Sequence, residues 1–247
     1  MCTRSRYTDK EKNRDILLLG ALFITMRPMT RACIFDLDGT LTNTLGTIAY
    51  FVNMQAAHYH LPPIPSEKFA LFLGDGSRAL IQRVLAHYGA AAQTISEDEF
   101  LQRYCLAYEA DFLQRCTVYP GVPEMLVELK RRRIELAILS NKPHSIAQKV
   151  ASAFFGDNVF SVVLGQREGV PVKPDPAGLF EILRTLNVET AEALFVGDTA
   201  VDIRTASAAQ VRSVGVLWGF RDETELSQAQ AHVLIRTPAE LLQHLSF

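Results

Sequence analysis

No apolar run in this chain is long enough to cross a bilayer, and no charge of one sign dominates it. Its 25 Lys and Arg stand against 27 Asp and Glu, a net charge of −2 with a pI near 6.3. That balance lacks the basic surface that nucleic acid or an anionic membrane would require. Cysteine is sparse: Cys2, Cys33, Cys105 and Cys116 form no CxxC pair and no zinc spacing. A disulfide scaffold is thereby excluded, and the four read as free thiols of a reducing, cytoplasmic protein, Cys33 as a small core residue. The six histidines, His58, His60, His87, His144, His232 and His244, show no metal-ligand spacing and read as surface or cap residues. Internal repeats and low-complexity segments are missing too. The apolar run 16–25 follows a charged stretch, is too short for a membrane span, abuts Asp15, and precedes Arg27-Pro28 without an Ala-x-Ala-like site. Residues 1–30 therefore read as an extension, packed as a short helix or loose, with Met26 and Met29 as alternative starts. At 247 residues, 48% hydrophobic and 21% charged, one large domain or a domain with an inserted module is expected.

What is present centres on residues 31–44. The apolar run Ala32 to Phe35 ends in Asp36 and Asp38, then Gly39-Thr40. Such a run suits a strand buried on both faces. Alternation points the two carboxylates the same way off its end. Like charges that close need a cation or a shared proton. Taken alone, the pair also fits an ordinary polar turn.

After Thr44 the pattern turns helical for about seventy residues, with helices expected over 44–60, 67–73, 77–87 and 97–116. In the last, Phe100, Leu101, Tyr104, Cys105, Tyr108, Phe112 and Leu113 recur at three- and four-residue spacing, behind a capping box at Ser96 and Glu99. Pro62, Pro63 and Pro65, then Gly74 and Gly76, separate the first three helices. From Tyr119 onward, strands expected at 135–139, 159–164, 193–196, 212–216 and 233–235 alternate with helices at 122–132, 145–155, 176–186, 200–209, 223–229 and 238–245. This alternation predicts an α/β fold: a doubly wound, Rossmann-like parallel sheet of residues 31–46 and 118–247, with an all-helical insert at 47–117. Sites in such sheets gather beyond the carboxyl ends of strands, and Asp36, Ser140 and Asp198 each follow one.

Four motifs in order, Asp36-Leu-Asp38-Gly-Thr40, Leu139-Ser140-Asn141, Lys173-Pro174 and Gly197-Asp198-Thr199-Ala-Val-Asp202, resemble those of the haloacid dehalogenase superfamily. The resemblance implies a magnesium-dependent phosphotransferase with a helical cap. Asp36 would be the nucleophile, forming an aspartyl-phosphate, and Asp38 the acid and then the base. Ser140 and the backbone near Asn141 would hold the transferring oxygens, and Lys173 would add a charge against phosphorus and Asp36. Magnesium would take Asp36, the Asp38 carbonyl and Asp198. Gly39 and Thr40 complete the phosphate loop, and Asp202 supports the Asp198 loop or caps the following helix.

Thr40 matches the superfamily's phosphatases, whereas its sugar phosphomutases usually carry Val there. Asp38 separates the chain from true dehalogenases. Within the superfamily, Tyr119-Pro-Gly-Val-Pro-Glu-Met-Leu, Ser140-Asn-Lys-Pro, Lys173-Pro-Asp-Pro, Val216-Leu-Trp-Gly219 and the cap string Leu73-Gly-Asp-Gly-Ser-Arg-Ala-Leu-Ile are similar to the phosphoglycolate phosphatase subfamily. That likeness implies 2-phosphoglycolate as substrate, cap donors between Gly74 and Arg78 (Gly76 and Arg78 in particular), and a monomer or homodimer serving a small phosphorylated metabolite. Asn43-Thr44 departs from the subfamily's usual Asp-Ser. A sugar phosphate, nucleotide or pyrophosphate as substrate, a phosphomutase, and a non-catalytic binding protein on the same fold are the alternatives.

Overall fold

The computed structural model describes residues 29–246. The expectations for the extension and for Cys2 lie outside the described residues, apart from Met29 and Thr30. Thr30 is clasped to the other end of the chain: its N–H donates to the Ser246 carbonyl at 2.9 Å, and Ser246 N–H donates to Thr30 Oγ1 at 3.0 Å.

Six strands build one parallel sheet: β1 Ala32–Phe35, β4 Glu135–Pro143, β5 Val162–Gln166, β6 Ala193–Gly197, β7 Arg212–Val216 and β8 Val233–Ile235, in the order β5-β4-β1-β6-β7-β8. All four residues of β1 are buried, because helices cover both faces of a parallel sheet and leave no polar side. On one face Leu129, Val150 and Leu241 pack under Cys33, Phe35 and Ile138. On the other, Leu179, Ile182, Ala206 and Val211 pack against Ile34, Ala137 and Phe195. β1 lies between β4 and β6 with Phe35 beside Ile138 and Val196. The chain winds outward from β1 in both directions, so the ends of β1, β4 and β6 open on one crevice. Among the described residues no helix is long and apolar enough to cross a membrane.

The insert leaves and rejoins the sheet through a two-stranded antiparallel ribbon, β2 Thr42–Asn43 paired with β3 Thr117–Val118. Asn43 Oδ1 accepts the Leu45 N–H at 3.3 Å, starting the Leu45–His58 helix. Thr44 Oγ1 is buried without a partner. Helices Ser66–Phe69, Gly76–Tyr88 and Glu97–Ala110 follow, their apolar faces meeting at Phe69, Ile81 and Phe100.

Several expected boundaries change. The helix expected over 97–116 stops at Ala110, where Asp111 leaves helical geometry at φ −150°. That expected over 67–73 is one turn, ending before the exposed Leu71 and the left-handed Gly74 at φ +111°. β4 runs four residues beyond the expected end at 139, and 238–243 is a 3₁₀ turn instead of an α-helix.

Candidate active site

Asp36 is fixed by its own N–H, which donates to the Val196 carbonyl at 2.8 Å, one pairing beyond the regular ladder. The chain then doubles back: Leu41 and Thr42 N–H both donate to the Leu37 carbonyl, and Gly39 N–H donates to Thr42 O at 2.8 Å. Gly39 stands at φ +93°, and a Cβ there would lie 2.3 Å from Asp198 Oδ2. Only glycine satisfies both demands. The turn delivers Thr40 Oγ1 to Asp198 Oδ1 at 3.1 Å. Phe220 N–H donates to Asp198 Oδ2 at 2.8 Å. Trp218 Nε1 donates to the Thr40 carbonyl at 3.0 Å, tying the end of β7 to this turn.

Lys173 is buried between two carboxylates, with Nζ 2.7 Å from Asp36 Oδ1 and 2.6 Å from Asp202 Oδ1. Asn141 places it: Oδ1 accepts the Lys173 N–H at 2.9 Å, and Nδ2 donates to the Lys173 carbonyl at 3.0 Å. Nδ2 also reaches the Gly74 carbonyl of the insert at 3.1 Å. Asp202 spends its second oxygen on the capping box of the Ala200–Ala208 helix, accepting from Thr199 N–H at 3.0 Å and Thr199 Oγ1 at 2.8 Å.

Carboxylate oxygens of Asp36, Asp198 and Asp202 lie within 4.8 Å of one another, with Lys173 the ammonium paired to two of them. Burial pushes the Asp36 carboxyl from its usual value near 3.8 up to about 7; Lys173 opposes that rise and Asp202 adds to it. Burial, then Asp202 and Asp36, holds Asp198 well above the carboxylate range. For Lys173 burial pulls downward, but Asp202 and Asp36 outweigh it and hold the ammonium above its ordinary range. Hard oxygen donors with surplus negative charge suit a divalent cation such as magnesium. Asp202 Oδ2 already accepts two hydrogen bonds and its Oδ1 takes the Lys173 ammonium, whereas each Asp198 oxygen accepts one, so Asp36 and Asp198 keep more lone pairs that could hold it.

A folded-state value above the unfolded one means that the folded protein binds the extra proton more tightly. Without metal, the Asp36 contribution to stability is therefore present at low pH and lost as pH rises from about 4 through about 7. Urea midpoints of metal-free protein should fall from pH 5 to pH 7, and Asp36→Asn should flatten that fall. An equal fall in both proteins would refute this assignment.

A cavity of about 60 Å³ opens above these groups, lined by Asp36, Asp38, Ser140, Asn141, Gly74, Gly76, Ser77 and Lys142, with Ile48, Leu73, Leu80, Tyr104 and Phe220. The structure thus brings Asp36, Asp38, Ser140, Asn141 and Gly76 to one space, with Lys173 and Asp198 behind Asp36. Thr40 turns its hydroxyl to Asp198 and away from the cavity, and the Asn141 side chain is engaged in holding Lys173. Gly76 lies where a Cβ would come 3.3 Å from the Asn141 carbonyl. Arg78 corrects the expectation of a cap donor: its Nη1 pairs with Glu97 at 2.8 Å and Asp98 at 2.9 Å, and its side chain is 57% exposed. It lies two residues past Gly76, about half a helical turn and so on the outer side, and ordinary surface pairing claims it.

Lys142 is the residue that the sequence reading passed over. Its Nζ lies 3.0 and 3.1 Å from the two Asp38 oxygens and donates to Tyr108 Oη at 2.8 Å. Simple alternation does not single it out, because β4 shifts register between Leu139 and Pro143, and Ser140, Asn141 and Lys142 all line the cavity.

A family model for haloacid dehalogenase-like hydrolases matches residues 30–210. The chain is 32% identical over 212 residues to a phosphoglycolate phosphatase of Haemophilus influenzae, covering 84% of this chain and 95% of that one. It is 35% identical over 204 residues to a phosphoglycolate phosphatase of Rhodospirillum rubrum, covering 79% and 83%. The crystal structure of a predicted phosphoglycolate phosphatase from Haemophilus somnus superposes with a TM-score of 0.81 at 29% identity, covering 87% of this chain and 97% of that one.

Proposed function

The chain belongs to the haloacid dehalogenase-like hydrolases and is a phosphatase, and from that premise we propose that it hydrolyses 2-phosphoglycolate, with magnesium, through an aspartyl-phosphate on Asp36. The observation that carries the reading is the pairing of two unlike carboxylates in one small cavity. Asp36 is buried and held by Lys173 at 2.7 Å, while Asp38 faces the same cavity from two residues on. Asp36 attacks phosphorus, and Lys173 keeps its oxygen aimed and offsets charge on the phosphoryl group. Asp38 gives a proton to the leaving glycolate oxygen, then takes one from the water that opens the acyl-phosphate. Ser140 Oγ and the backbone beside Asn141 donate to the non-bridging oxygens. Asp36, the Asp38 carbonyl and Asp198 would hold magnesium, which supplies the positive charge that lets a phosphate dianion approach carboxylates.

Residues 47–117 act in this reading as a cap over a core of 31–46 and 118–247. Gly74 and Gly76 bring the cap against Asn141, and closure excludes water until glycolate leaves. The setting is cytoplasmic and the partner a small phosphorylated metabolite. The names of the relatives support 2-phosphoglycolate, and a cavity of about 60 Å³ favours a small ester over a nucleotide.

The test is kcat/KM with magnesium for 2-phosphoglycolate against sugar phosphates, nucleotides, pyrophosphate and an aryl phosphate. A preference of about a hundredfold, equal to about 2.7 kcal/mol of differential transition-state binding, is expected. Comparable slow turnover of all of them would leave a phosphatase and discard the named substrate.

A further inference from the structure

With Arg78 turned to the surface, Lys142 is the one cation among the described residues that line the cavity. Its side chain is 5% exposed. An ammonium withdrawn from water that far needs anionic or strongly polar partners. Within the protein it has Asp38, Tyr108 Oη and the Tyr108 ring face, whose centroid is 4.5 Å from Nζ. Lys142 belongs to the sheet and Tyr108 to the insert, so the cation is held where the two meet. Lys173 lies on the Asp36 side of the site and Lys142 on the Asp38 side. In the proposed reaction these are the nucleophile side and the leaving-group side.

We propose that Lys142 is a specificity-determining residue, binding a carboxylate carried by the leaving group on the carbon next to the ester oxygen. The proposal rests on the assignment of Asp38 to the leaving oxygen and names the substrate class of that same site: small phosphomonoesters with a second anion close to phosphorus. Asp38 must stand about 3 Å from the ester oxygen to protonate it, and Lys142 Nζ is a further 3.0 Å on. A carboxylate one carbon from that oxygen falls within this reach, whereas a neutral alcohol offers the ammonium no charge. Beside it, Gly76 and Ser77 open the Gly76–Tyr88 helix on the cavity. The Asp75 side chain gives this helix no cap hydrogen bond, being paired with Arg83, so first-turn N–H groups are available to the same carboxylate.

The experiment measures kcat/KM for two matched pairs: 2-phosphoglycolate with 2-hydroxyethyl phosphate, and 2-phospholactate with its neutral alcohol counterpart. The ratio within each pair is read in wild type, Lys142→Met and Lys142→Arg, with circular dichroism as the check of folding. Wild type should favour the carboxylate by about 100-fold. Lys142→Met should bring the ratio close to one whatever its absolute rate, and Lys142→Arg, keeping the charge, should retain most of it. A ratio that survives in Lys142→Met while all rates fall together would overturn the proposal and leave Lys142 as a partner of Asp38. If wild type favours 2-phospholactate alone and Lys142→Met erases that preference, the proposal stands and the 2-phosphoglycolate assignment falls. If wild type shows no preference in either pair, both fall. Should Lys142→Met not fold, product inhibition of wild type decides: glycolate should inhibit turnover of 2-hydroxyethyl phosphate at least about tenfold more strongly than ethylene glycol, and equal inhibition overturns the proposal.

Discussion

Asp36→Asn lowers kcat for 2-phosphoglycolate by about 10⁴-fold or more and leaves the fold in place. The carboxylate oxygen is the nucleophile in the proposed mechanism, and an amide oxygen of the same shape does not replace it. Structural damage is the competing cause of such a loss, and the geometry argues against it. Asn keeps an acceptor for the Lys173 ammonium at 2.7 Å and adds no volume. Burial already holds the Asp36 carboxyl up near 7, so ionising it within the folded protein is unfavourable. A neutral amide avoids that cost, and metal-free Asp36→Asn should be at least as stable as wild type at pH 8. Circular dichroism and a urea melt at that pH report on the fold. Acid quench during turnover should trap a phosphoprotein in wild type and none in the variant. Turnover within tenfold of wild type would remove Asp36 from the role of nucleophile.

The sheet was legible where burial on both faces left a simple pattern. Ala32 to Phe35 reads as a strand because both faces of β1 are covered, and Asp36 then has to lie at its end. Strand order is decided by contacts far apart in sequence, such as Phe35 against Val196, which no local pattern encodes. The β2–β3 ribbon was invisible because two-residue strands are too short to display a period. The apolar spacing of the last insert helix continues through Phe112 and Leu113, yet Asp111 breaks the geometry, tertiary packing overriding a sound local pattern. At the site, the motif carboxylates and Lys173 were legible as residue types, but their partners were not. The backbone at Asn141 reads as a phosphate contact, but nothing in the sequence shows that the Asn141 side chain holds Lys173 at both its N–H and its carbonyl. Arg78 looked like a substrate ligand because of its charge and neighbourhood, and the Glu97 and Asp98 that claim it lie some twenty residues on. Lys142 was missed because the expected strand ended at 139, four residues short of its observed end at Pro143.

Lys173→Met should act on stability in the opposite sense to Asp36→Asn. Methionine fits the buried stem and packs against Phe195, whose ring centroid lies 5.6 Å from Nζ, so lost volume is not the issue. The loss is the charge between Asp36 and Asp202, in a cluster whose three carboxylates lie within 4.8 Å of one another. Removing one partner of a buried ion pair costs about 3–5 kcal/mol. The strain also reaches the capping box, since Asp202 carries the Thr199 hydrogen bonds. Metal-free Lys173→Met should therefore melt well below wild type at pH 8 and recover toward pH 5, as protons replace the missing cation. Magnesium should restore part of the stability, because it neutralises the same oxygens. Activity should not return with it: without the ammonium beside Asp36, kcat should stay about 10²–10³-fold down. A melt unchanged at pH 8, or turnover within a few fold of wild type, would refute the pairing as drawn. The double variant isolates the pair itself. Once Asp36 is already a neutral amide, Met at 173 strands less charge, so the double variant should be more stable than the sum of the two single effects predicts, by about 1 kcal/mol or more. Strict additivity would mean that Lys173 answers to Asp202 alone.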